Sequence, residues 1–72
     1  MSLNSSTQPQ RDYIASLLTR IGVETAHQAG AITLDMAWDS GVAQTWRTPR
    51  EVARHCHSKA TASQVISALK AL

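Results

Sequence analysis

The segment Thr48–Leu72, TPREVARHCHSKATASQVISALKAL, holds two helix-start signals and two amphipathic stripes. Thr48 is a favourable N-cap, because its hydroxyl accepts a hydrogen bond from an otherwise unbonded first-turn N–H. Pro49 suits the first helical position, where its missing N–H costs nothing. Glu51 stands three residues beyond Thr48 and completes a capping box. Pro49, Val52, Ala53 and Cys56 then face one way, and Arg50, Glu51 and Arg54 the other. A second capping box is read at Thr61 and Gln64. It opens a helix with Ala62, Val65, Ile66, Leu69 and Leu72 inside and Ser63, Gln64, Ser67, Lys70 and Ala71 outside. Two short helices joined by about four residues, each with one apolar stripe, predict a helix-turn-helix over 48–72.

Upstream, PQRDYIASLLTRIG (Pro9–Gly22) reads as a further helix. Ile14, Leu17, Leu18 and Ile21 follow the i, i+3, i+4, i+7 rule and share one face. Gly22 is free to take the left-handed conformation that ends a helix. The stretch Val23–Trp46 carries two competing patterns. Ile32, Leu34, Met36 and Trp38 alternate as in a strand, whereas Leu34, Trp38, Val42 and Trp46 recur every four residues as in a helix. Frequent Ala and sparse β-branched residues favour helix, with a break at Asp39–Gly41. A lone short strand would need a partner, and none is evident in the sequence. Residues 1–8 are polar and without period, and read as a flexible tail. The expectation is a small all-α domain over 9–72, with three to four helices and a C-terminal helix-turn-helix.

Composition narrows the function classes. The chain has 72 residues, 43% hydrophobic and 17% charged, which suits one folded domain with no room for a second core. Cys56 is the single cysteine, so an intrachain disulfide is excluded. No apolar run is long enough for a membrane helix, and the first ten residues lack the basic start and apolar middle of a signal peptide. A cytoplasmic location is expected. Net charge is +2, but unevenly spread. Through Asp39, Arg11 and Arg20 stand against Asp12, Glu24, Asp35 and Asp39. From Ser40 on, Arg47, Arg50, Arg54, Lys59 and Lys70 stand against Glu51 alone. A basic C-terminal half suits a polyanion or an acidic protein surface.

The second helix of a helix-turn-helix can lie in the major groove with its outer side chains on base edges. Here those are Ser63, Gln64 and Ser67. Gln makes a two-point contact with adenine, and Ser donates to or accepts from any base. Arg47, Arg50, Arg54 and Lys59 fall on the preceding helix or in the turn, where they would neutralise phosphates. The segment resembles the core of winged-helix regulators of the MarR type, in which a TP-x-E-L-A start leads through a turn to a helix ending L-K-x-L. TPREVA at Thr48–Ala53 and LKAL at Leu69–Leu72 carry that likeness over roughly a third of the chain. The resemblance implies recognition positions at Ser63, Gln64 and Ser67, with Lys70 near the backbone. The chain stops at Leu72, so it implies a form without the β-wing.

A second expectation uses the same shape to hold a protein. The outer positions of the last helix are small or neutral apart from Lys70, whereas recognition helices are usually richer in Arg, Lys and Asn. Very short adaptors, often phage- or plasmid-encoded, bind host transcription machinery such as RNA polymerase. Trp46, beside Arg47, is the candidate hot spot for such a partner, against a core-anchor role for both Trp38 and Trp46. Metal chemistry is not expected. His55, Cys56 and His57 are adjacent, and neighbouring helical residues point about 100° apart, so they cannot converge on one ion. Neither paired carboxylates nor a Gly-rich phosphate loop is present, and Cys56 lacks an identifiable orienting group. An enzyme is therefore not expected, and no cofactor is implied.

Overall fold

Thr7 opens the first helix of the chain, α1 (Gln8–Ile21). Its hydroxyl accepts from the Gln10 N–H, and the Gln10 side-chain carbonyl accepts from the Thr7 N–H in return. This reciprocal capping box lies at the boundary of the tail read from the sequence. Pro9 sits inside the first turn, as its fixed φ allows. The buried face holds Ile14, Ala15, Leu17 and Leu18. Gly22, with φ of 97°, ends α1 and lets the chain turn directly into α2 (Val23–Gln28). A side chain would be strained at that φ. The computed structural model describes residues 4–72; Met1–Leu3, part of the expected tail, lie outside the described residues.

The middle stretch departs from the expected helix with a break at Asp39–Gly41. After α2 the chain makes only one further turn of helix, α3 (Leu34–Ala37), capped by the Thr33 hydroxyl. It then forms a two-stranded antiparallel sheet, β1 (Trp38–Asp39) with β2 (Thr45–Trp46). Trp38 is directly opposite Trp46, and their rings meet edge to face with centroids 5.1 Å apart. That geometry is favourable for aromatic pairs beyond their area burial. The loop between the strands holds an Asx turn, in which the Gly41 N–H donates to Asp39 Oδ1, and Gln44 takes φ of 44°. The four-residue spacing of Leu34, Trp38, Val42 and Trp46 is therefore not a helical face. Leu34 and Val42 are exposed, while the two Trp residues meet across the hairpin. The fold is mostly helical, with five helices and this small sheet among the described residues, and not all-α.

Thr48 caps α4 (Pro49–Arg54) with the capping box read from the sequence, Glu51 closing it. The last helix, α5 (Lys59–Lys70), begins earlier than expected. Its cap is Ser58, whose Oγ accepts from the Thr61 N–H; Thr61 fills the third helical position instead of capping. The cause is long-range. Ser5 pairs with Ser58 in an isolated antiparallel bridge, Ser6 N–H donates to the His57 carbonyl, and Lys59 N–H donates to the Asn4 carbonyl. These contacts pin Ser58 in extended backbone, the conformation an N-cap requires. Residues 4–7, read from the sequence as tail, thus form a strap across the α4–α5 turn, with Ser6 buried.

α1 packs against both α4 and α5, and one apolar cluster joins the three. Ile14, Leu18, Val52, Cys56 and Leu69 are the largest fully buried side chains. Full burial of each aliphatic side chain contributes about 1.5–3 kcal/mol. The Cα envelope is 32 × 29 × 16 Å, thin enough that each helix keeps one face in water. On α5 the inner face is Ala62, Val65 and Leu69, with Ile66 partly buried; Leu72, expected inside, is exposed.

Candidate functional site

Ser63, Gln64, Ser67 and Lys70 project from the exposed side of α5 because Ala62, Val65 and Leu69, at helical spacing between them, are drawn into the core. The exposed face is neutral until Lys70 in the last turn. Gln64 stands at its edge, where it also lines a shallow groove with Ile32, Met36, Val65 and Ala68. Lys59 is exposed in the first turn of α5, and its carbonyl accepts from the Gln10 side chain of α1.

The arginines separate into two groups. Arg50 and Arg54, one turn apart on α4, are both exposed. They border a cleft shared with Gln8, Arg11 and Asp12 of α1, and Ala53 forms its floor. Arg50 donates to Asp12 Oδ1 at 2.7 Å, and Gln8 Nε2 donates to the same oxygen at 2.7 Å. The hydrogen bond from Arg50, with that from Gln8, holds the Asp12 carboxyl below its ordinary range. Arg11 is turned toward the strap, donating to the Ser6 carbonyl, to Ser6 Oγ and to Gln8 Oε1. Arg54 makes no hydrogen bond or ion pair among the described residues.

Arg47 stands apart. It follows β2, extends the hairpin by donating its N–H to the Ala37 carbonyl, and donates from Nη1 to His55 Nε2 at 2.9 Å. His55 Nδ1 lies 2.9 Å from the Glu51 carbonyl, so the ring bridges Arg47 and the Glu51 backbone. Arg47 thereby ties the hairpin to the end of α4, and its Nε is buried. Trp46 is likewise committed inward: it packs on the core, against Trp38 and against the His27 ring at 5.7 Å.

His55, Cys56 and His57 diverge as adjacent residues must. Cys56 is fully buried, its thiol 3.6 Å from the Val52 carbonyl, and burial pushes that thiol's pKa up, away from the reactive thiolate. His57 is exposed. Among the described residues no group of three or more His, Cys, Asp or Glu is placed to hold a metal ion. No described helix is long and apolar enough to cross a membrane.

The residues that sequence reasoning missed are Gln8, Arg11 and Asp12. Periodicity puts Arg11 and Asp12 on the outer sides of α1 but does not say which of those sides α4 covers, and Gln8 fell within the expected tail. The only local signal is the i, i+4 spacing of Gln8 and Asp12, which allows their contact. Comparison with protein-family models, curated proteins and solved structures returned no match.

Proposed function

We propose that the chain binds double-stranded DNA, with α4 and α5 acting as a helix-turn-helix in a small transcription regulator. The observation that carries this reading is the exposed, polar outer face of α5, one short turn after a helix whose arginines are exposed. α5 is set on α1 by its inner stripe, a four-residue turn (55–58) joins it to α4, and Ser63, Gln64 and Ser67 are left open to solvent. Arg50 and Arg54 are exposed on the helix before it, and Lys59 in the first turn of α5 itself. In this reading α5 enters the major groove, the three polar side chains meet base edges, and these cations with Lys70 neutralise phosphates. Arg47, bonded to His55, serves the scaffold.

The test is a titration with mixed-sequence duplex DNA at two salt concentrations. Binding at low salt is expected, falling steeply as salt rises because counterions are released for each phosphate neutralised. Arg54→Ala should weaken all sequences alike and lower the salt slope by about one, while Gln64→Ala should change the preferred sequence. Absence of binding at low salt would overturn the reading.

A second reading is a contact with a protein of the transcription machinery. The observation favouring it is the exposure of large apolar side chains: Val42 at the hairpin tip is fully exposed, and Leu34 on α3, Leu72 and Tyr13 are partly so. Trp46, partly covered in the aromatic cluster, offers such a partner only its remaining exposed surface. If this reading holds, Val42→Ser abolishes capture of the partner, while Gln64→Ala leaves it intact.

A further inference from the structure

We propose that the cleft between the start of α1 and the outer side of α4 is a seat for a phosphate group, with Asp12 as the internal anion that competes for it. Three guanidinium groups and one carboxylate border this cleft, and buried Ala53 forms its floor. The three arginines are held to different degrees. Arg11 is anchored by three acceptors of the strap and first turn, which fixes its guanidinium at the cleft wall. Arg50 is held by one carboxylate oxygen of Asp12, with both side chains about half exposed. Arg54 is unengaged among the described residues, one helical turn from Arg50.

A single carboxylate satisfies little of that donor set. Each guanidinium offers five N–H donors, whereas the Asp12 contact with Arg50 is a single bond from Nη1. A tetrahedral oxyanion presents several oxygens in different directions, so it can take Arg50 and Arg54 together while touching Arg11. A second carboxylate would repeat what Asp12 already provides. The cleft carries a net positive charge that Asp12 only partly offsets. An entering phosphate draws Arg50 away from Asp12, which keeps its bond from Gln8. Removing the Asp12 charge should therefore tighten the seat. Duplex DNA and free pyrophosphate supply the same oxyanion, and the seat does not depend on what α5 reads.

The experiment follows arginine side-chain NMR signals of the full chain during titration with pyrophosphate, and in parallel with mixed-sequence duplex DNA. Wild type, Arg54→Ala, Asp12→Asn and Asp35→Asn are compared. Asp35 is exposed on α3, which lines no part of the cleft, so Asp35→Asn makes the same change in net charge elsewhere. All three altered residues are exposed, and backbone spectra verify that each variant folds. Asp12→Asn should tighten binding of at least one probe about three- to five-fold, and Arg54→Ala should weaken it by a similar factor, as solvent-exposed charge pairs allow. Asp35→Asn should leave it unchanged. This pattern with DNA assigns the phosphate to a nucleic-acid backbone. The same pattern with pyrophosphate, without any duplex binding, supports a seat for free phosphate while overturning the helix-turn-helix reading. Equal tightening by Asp12→Asn and Asp35→Asn reduces the effect to net charge and overturns the seat. Duplex binding weakened by Arg54→Ala but indifferent to Asp12→Asn, with no response to pyrophosphate, also overturns it and leaves the α5 reading standing.

Discussion

The α1–α4–α5 trio and the middle stretch between Val23 and Trp46 are held together in different ways. The trio is joined by large side chains that lose all contact with water: Ile14 and Leu18 from α1, Val52 from α4, Leu69 from α5. Each of its helices also has a side-chain N-cap. The middle stretch buries Val23, Ile32 and three alanines, Ala26, Ala31 and Ala37, in short elements, and leaves Val42 and Leu34 in water. Its hairpin has two residues per strand, and such hairpins are marginal alone. What fixes it is the Trp38–Trp46 contact and the bonds of Arg47 to Ala37 and His55. The trio therefore sets global stability, and the hairpin is an appendage that can open locally at lower cost. The proposed interface lies on the rigid part, as precise placement of side chains requires.

The largest effect should come from the trio. Leu69→Ala removes a fully buried side chain and should cost about 2–5 kcal/mol, a large share of a small domain's stability, seen as a lower urea midpoint or loss of folding. Val42→Ser, at the hairpin tip, should stay within about 0.5 kcal/mol. Comparable losses at the two positions would erase the distinction between the regions.

Trp46→Ala should come next, at about 1–3 kcal/mol. That is below the ~3–5 kcal/mol of a fully buried aromatic, because Trp46 is only partly covered. Near-ultraviolet circular dichroism should lose the signal of the paired indoles while far-ultraviolet helicity persists. Loss of helicity together with the indole signal would mean that the hairpin and the trio form one cooperative unit.

The cap positions give a finer test. Ser58→Ala should cost about 1 kcal/mol, since its Oγ satisfies the Thr61 N–H at the start of α5. Thr61→Ala should cost less, because it deletes only the hydroxyl that accepts from Ser58. The reverse order in urea denaturation would return the start of α5 to Thr61.

The smallest effect is electrostatic. Bonds from Arg50 and Gln8 lower the folded-state pKa of Asp12 from the ordinary 3.8. Its contribution is therefore present above that value and fades as pH falls through the lowered one. Because the pair is exposed, the contribution should be small and should weaken further with salt. Wild type should be slightly more stable than Asp12→Asn at neutral pH, with the difference vanishing in acid. A difference that persists unchanged into strong acid would show that Asp12 acts through something other than its charge.

Much of the trio was legible because its signals are local. A hydroxyl three residues before its N–H partner, a proline in the first turn and apolar residues three and four apart all lie within one or two helical turns. They placed α1 and α4 closely, and they separated Ala62, Val65 and Leu69 inside from Ser63, Gln64 and Ser67 outside on α5. In the middle stretch the local signals disagreed, since two-residue strands are too short to show a period of two. The spacing of Trp38 and Trp46 suited a helix as well as a hairpin.

The sequence by itself determined which faces of the long helices turn inward, because the period of a helix is written in neighbouring residues. Only the tertiary structure decided where α5 begins, which side of α1 meets α4 and how the two Trp residues pair. Each of these depends on a residue brought from elsewhere in the chain: Ser5 onto Ser58, Asp12 onto Arg50, Trp38 onto Trp46. Periodicity records the direction in which a side chain points along its own element, and carries no record of what the folded chain will place opposite it.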